Sequence, residues 1–161
     1  MTRLPMRGLL LAVALVVVLA GTALATPPVQ PVTGTFLSRG TLHESVHFNT
    51  GEVKFQTKAP VDFVVQTIIF GVGSSSGWHS HPGVVLVSIT SGEMRHYAQD
   101  CSFETLRAGD AFVESGSDPG LVQNSSPSSP LVVHATFLVP AGTTNPHLRI
   151  DQPNPGCPGI D

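Results

Sequence analysis

The chain has 161 residues, with eight Lys/Arg against eleven Asp/Glu, and 41% of it is hydrophobic. That length suits one domain with a core of its own. The mild acidity argues against nucleic acid or an anionic membrane surface as a partner.

Residues 1–25 read as a secretory signal peptide rather than as part of a fold. Arg3 and Arg7 make a positive start, Leu9 to Ala20 is unbroken apolar sequence, and Ala23-Leu24-Ala25 has the small-x-small pattern of a cleavage site. The apolar run is shorter than the roughly 20 residues of a spanning helix. Cleavage after Ala25 would place the protein in the secreted fraction or the cell envelope, with no membrane segment left. It would also leave six Lys/Arg. The two cysteines, Cys101 and Cys157, then read as a disulfide. Such a bridge would tie the Pro/Gly-rich tail QPNPGCPGID to the body.

The rest of the chain predicts an all-β fold. Its apolar runs are short and β-branched, and Gly and Pro recur between them. An extended leader is expected over 26–35. Strands are expected over Thr41–Phe48, Val53–Thr57, Asp62–Phe70, Val84–Thr90, Glu93–Ala98, Ser102–Leu106, Ala111–Val113, Leu121–Gln123 and Leu131–Val139. The Gly/Ser segment 71–77 reads as a flexible loop, and Ala141 to Asp161 as a loop-like tail. About nine short strands in one small domain point to a sandwich or a jelly-roll barrel.

The stretch GSSSGWHSHPGVVLVSITSG, residues 73–92, carries the chemistry. His79 and His81 are two apart, so on a strand they point the same way and can offer two nitrogens to one metal ion. The same parity sends Val85, Val87 and Ile89 inward, which predicts an apolar pocket beside the two imidazoles. Trp78, next to the pair, is a candidate for the pocket wall. His43, His47 and His147 read as solvated.

The spacing resembles that of the cupin superfamily. Gly73, five residues, His79-x-His81 and then Gly92 match the first cupin motif; Gly109 and Asn124 match the ends of the second. GWHSHPG, together with a Cys in the following hairpin and another in the tail, is similar to small exported bacterial cupin-domain proteins. The resemblance covers roughly residues 60–140. It implies a single cupin-type jelly-roll barrel behind the signal peptide. The expected organisation is 1–25 signal peptide, 26–59 leader and first strands, 60–140 barrel, and 141–161 disulfide-tied tail.

Typical cupins hold a divalent metal with three His and one Glu. The family's spacing places that Glu on Val85 and the third His on Gly120, so two of the expected ligands are missing here. A third ligand is open among His96, His134 and Glu114. The resemblance thus implies a small-molecule-binding barrel, with iron, manganese or zinc held weakly by the His pair. The alternative is a metal-dependent enzyme, a dioxygenase or isomerase, with a rearranged ligand set. Whether the protein is an enzyme stays open at this stage. Cupins often pair through sheet edges, so a homodimer is also allowed.

Overall fold

The computed structural model describes residues 24–161; the signal-peptide reading of residues 1–25 lies almost wholly outside them. Twelve strands form: β1 (Val32–Leu42), β2 (His47–Asn49), β3 (Lys54–Gln56), β4 (Val61–Phe70), β5 (His79–Ser80), β6 (Val84–Ser91), β7 (Glu93–Ala98), β8 (Phe103–Arg107), β9 (Ala111–Glu114), β10 (Gly120–Asn124), β11 (Leu131–Pro140) and β12 (Ile150–Asp151). One five-stranded sheet has the order β1-β4-β11-β6-β9, the other β12-β5-β10-β7-β8. From β4 onward the chain passes back and forth between the two sheets, which is the winding of a jelly roll. Beside them β2 and β3 pair as a separate hairpin.

Burial follows the alternation of the pleat. Along β6, Val85, Val87 and Ile89 are buried while Val84 and Leu86 are exposed. Every second residue of β11, from Leu131 to Val139, is buried likewise. Met94 and Val122 of the second sheet join them in one core between the sheets. A smaller core lies on the outer side of the second sheet, where Trp78, Tyr97 and Leu121 pack with Cys157.

Three sequence expectations change. The leader stops early, because Val32–Leu42 is a strand paired along its length with β4. It is an exposed edge strand, so its sequence carries little apolar alternation to announce it. The expected strand Thr41–Phe48 is broken, since Leu42 ends β1 and His47 begins the outer hairpin. The loop-like tail carries one short strand besides its expected bridge. Ile150 and Asp151 pair with Ser80 and His79, and a Cys101–Cys157 disulfide pins the chain end. From Thr26 the N-terminal segment is held as well, its N–H donating to the Gln152 carbonyl at 2.9 Å.

Asp62 anchors the first sheet to the turn after β11. Buried at 3% exposure, it accepts from Arg39 Nη1 at 2.6 Å, Thr41 Oγ1 at 2.7 Å and the Gly142 N–H at 3.0 Å. The Thr41 hydroxyl first, then Gly142 and Arg39, hold its carboxyl below the ordinary 3.8 against the opposing effect of burial. Asp62→Ala is expected to cost about 2–3 kcal/mol, below the usual buried-pair loss because Arg39 keeps some solvent. Urea unfolding measures this. Because the folded value is depressed, the Asp62 contribution is full above the unfolded value and fades as pH falls through the folded one. The gap between wild type and variant is therefore expected to close in acid.

Candidate metal centre

The chain crosses from the second sheet to the first between β5 and β6. Gly83 makes the crossing feasible: a Cβ there would collide with the Leu138 carbonyl. His79 and His81 sit before the crossing, and Val85 and Val87 after it. The even spacing keeps all four turned toward the same interior.

Each imidazole is fixed by a backbone carbonyl. His79 Nδ1 lies 3.0 Å from the Gly77 oxygen, and His81 Nδ1 lies 2.6 Å from the Leu148 oxygen. A carbonyl only accepts, so Nδ1 carries the proton in each neutral ring and Nε2 is left as a bare lone pair. Burial, ahead of the nearby Arg149 and His81, pushes the His79 pKa down to about 4, although Glu114 opposes the shift. The ring is therefore neutral at neutral pH.

Both lone pairs meet a carboxylate. Glu114 Oε2 is 3.1 Å from His81 Nε2, and Oε1 is 3.8 Å from His79 Nε2. The 3.1 Å approach lacks the alignment of a hydrogen bond. Among the described residues His81 Nε2 is a buried atom with no partner. Two bare nitrogens facing a carboxylate repel unless a positive charge stands between them.

The donor set fits a metal ion. One atom from each of His79, His81 and Glu114 lies within 4.8 Å of the others. Ligands about 2.0–2.2 Å from one ion stand roughly 3–3.5 Å apart. The 3.1 Å contact falls in that range, and the 3.8 Å contact and the 4.8 Å span would have to close slightly around an ion. Two imidazoles and one carboxylate, with the Nδ1 side of each ring tied to the backbone, suit zinc, iron or manganese.

The register places the carboxylate. Glu114 is the direct cross-strand partner of Val85, so it stands one strand to the side of the position the resemblance implies. At Gly120 a similar shift is visible. Gly120 pairs with His79 on one side and Ala98 on the other, and an added Cβ would lie 3.2 Å from His96 Nε2. His96 thus leans into the space that Gly120 leaves, 4.0 Å from Glu114 Oε1. Its ring sits 4.5 Å from Phe112, and its Nδ1 lies 3.3 Å from Glu104 Oε1. His96 borders the cluster without joining it.

The other candidate residues fall elsewhere. His134 is removed as a ligand: it bonds Thr67 at 3.0 Å and lines a shallow depression with Leu86 and Val113, two outward-facing side chains. Trp78 is not a pocket residue. Pleat alternation turns it away from the side His79 faces, and the tail covers it, with Nε1 donating to the Ile160 carbonyl at 2.9 Å. Val85 and Val87 do line the cavity. Ser74, Ser75 and Ser76 are buried rather than part of a flexible loop; Ser75 donates to the Asp161 carbonyl and Ser76 accepts from the Val122 N–H. Asn124 is a staple, its amide donating to the carbonyls of Phe70, Gly71 and Ser129.

Two contributors come from the tail and carry no local signature: the Leu148 carbonyl that orients His81, and Arg149. Arg149 lines the same cavity of about 230 Å³ as the three donors.

No protein-family profile matches the chain, and no curated protein matches it. Solved structures do resemble it, several of them described as cupin or cupin-like proteins. A cupin-like protein from Thermotoga maritima is 18% identical over 57% of this chain and 65% of its own, with a TM-score of 0.48. A Cupin 2 conserved barrel domain protein from Leptotrichia buccalis is 16% identical over 67% of this chain and 41% of its own, at 0.48. A cupin superfamily protein from Desulfitobacterium hafniense is 14% identical over 68% of this chain and 78% of its own, at 0.48. This chain spans less than two thirds of the length of the first two. The jelly-roll assignment rests on the strand order and register of this chain itself.

The tail is expected to depend on its bridge. Replacing both Cys101 and Cys157 by Ser removes a cross-link between residues 56 apart. The chain-entropy effect of such a loop is about 3–4 kcal/mol. Trp78 is the only tryptophan. Its fluorescence in the double variant is expected to shift to the red as the tail lifts, at denaturant concentrations that leave the wild type unchanged.

Proposed function

We propose that this protein is an exported barrel that holds one divalent metal ion with His79, His81 and Glu114 and binds a small ligand in the cavity beside it. The observation that carries the reading is the three-donor cluster with His81 Nε2 buried and unpartnered. In the neutral ring the one proton sits on Nδ1 against the Leu148 carbonyl, which leaves Nε2 as a lone pair toward Glu114. Export is supported by the sequence of residues 1–25 and by the disulfide, which belongs to an oxidising compartment.

A second reading is favoured by the same donors. Two His and one carboxylate leave coordination positions for substrate and water, the arrangement of many non-haem iron enzymes. A metal bound there would supply Lewis acidity to a ligand in the cavity. His79 and His81 would stay oriented by their backbone carbonyls, Glu114 would lower the net charge of the ion, and Val85, Val87 and Phe137 would limit water. That set suits a dioxygenase or an isomerase, and catalysis separates the two readings.

The test is metal content after separate supply of iron, manganese, zinc and copper. The wild type is expected to carry close to one ion per chain. His79→Ala/His81→Ala is expected to carry none. Glu114→Gln is expected to lose about tenfold or more in affinity, as it keeps the shape but removes the charge. Metal is expected to leave as pH falls, because protons compete for the same lone pairs. A wild type that stays metal-free in all four supplements overturns the reading.

A further inference from the structure

The cavity holds a second unexplained polar atom. Arg149 donates from Nε to Asp151 Oδ1 at 2.6 Å, yet its Nη2 is buried and has no acceptor among the described residues. A guanidinium N–H removed from water and left unbonded is costly, so a group is expected to meet it. Arg149 lines the cavity together with His79, His81 and Glu114. It is also close enough for its charge to be felt at His79, and for that of Glu114 to be felt at Arg149.

The charge of the site points to an anion. Arg149 is paired with Asp151, and Glu114 offsets one charge of a divalent ion, so the ion leaves the site with a single positive excess. The remaining wall is apolar, with Phe70, Met94, Val122, Val133, Phe137 and Leu148 among its residues. An unsolvated positive excess favours a negative ligand group more strongly than water would allow. A planar carboxylate matches the fork of a guanidinium. A single arginine with few other donors is a poor match for a doubly charged phosphate. At about 230 Å³ the space falls below the roughly 300–1,000 Å³ of sites for drug-sized ligands.

We infer that the ligand is a small monocarboxylate, its charged end held by Arg149 beside the metal and its compact apolar body against the barrel wall. The charge excess rests on the function proposed above; the unpartnered Nη2 of Arg149 does not. Arg149 is thus the residue that sets specificity for acids over their neutral analogues. It lies on a segment with no charged motif to mark it.

The experiment is calorimetric titration of the oxidised protein, metal-free and zinc-loaded, with benzoate and butyrate, each beside its primary amide. The wild type is expected to prefer acid to amide by about 10- to 100-fold, the range for a hydrogen bond to a charged partner. Arg149→Met is expected to lose that preference with zinc content unchanged, and Arg149→Lys to keep part of it. Equal affinity for acid and amide in the wild type, or no binding of either acid, overturns the proposal without recourse to any variant. A full preference in Arg149→Met overturns it too. If zinc fails to bind, the metal reading falls, while the acid–amide comparison on metal-free protein still decides the role of Arg149.

Discussion

The interior depends on two hydrogen bonds that face away from it. The Gly77 and Leu148 carbonyls fix the protons of His79 and His81 on their outer nitrogens. Each inner nitrogen then has nothing to give, and both are directed at the Glu114 carboxylate. That placement is unfavourable in an empty apolar cavity and favourable around a cation. The cavity shape, the placement of Glu114 on β9 and the docking of the tail all serve this one constraint. Without the Leu148 carbonyl, His81 could turn its proton inward and satisfy Glu114 as an ordinary buried pair.

The parts legible in the sequence are those that depend on one strand. The His-x-His pair and the inward set Val85, Val87 and Ile89 share a simple period of two, and the crossing at Pro82-Gly83 preserves it. The parts that depend on pairing between strands were less legible. Glu114 was one of three candidates, and only the register of β6 against β9 places it opposite Val85. The pairing of Gly120 with Ala98, two residues after His96, likewise lets an imidazole enter from the neighbouring strand. A position-by-position comparison reads Val85 and Gly120 as losses. In space, a carboxylate and an imidazole have approached from the side.

Trp78 and the tail meet on the face turned away from the cavity. Trp78 is adjacent to the His pair in sequence, but adjacency on a strand means the opposite face. The tail lacks periodicity because it covers that opposite face as an irregular layer, held by Asn154, the disulfide and the short pairing of β12 with β5. Its Pro and Gly content predicts a loop, and much of it is one. Composition does not reveal that this loop closes a second small core and supplies a wall of the cavity.

The tail therefore couples the disulfide to the site. Leu148 orients His81 and Arg149 presents an unspent donor, and both precede the short pairing of Ile150 and Asp151 with β5. That segment is held in place by a bridge that persists only where thiols are oxidised. The barrel alone supplies His79, His81 and Glu114, but it leaves His81 free to rotate and the cavity without its cation. With the tail sealed down, the proton on His81 is fixed and a positive charge is set beside the metal position. The most buried chemistry in this small protein is thus assembled by the last part of its chain.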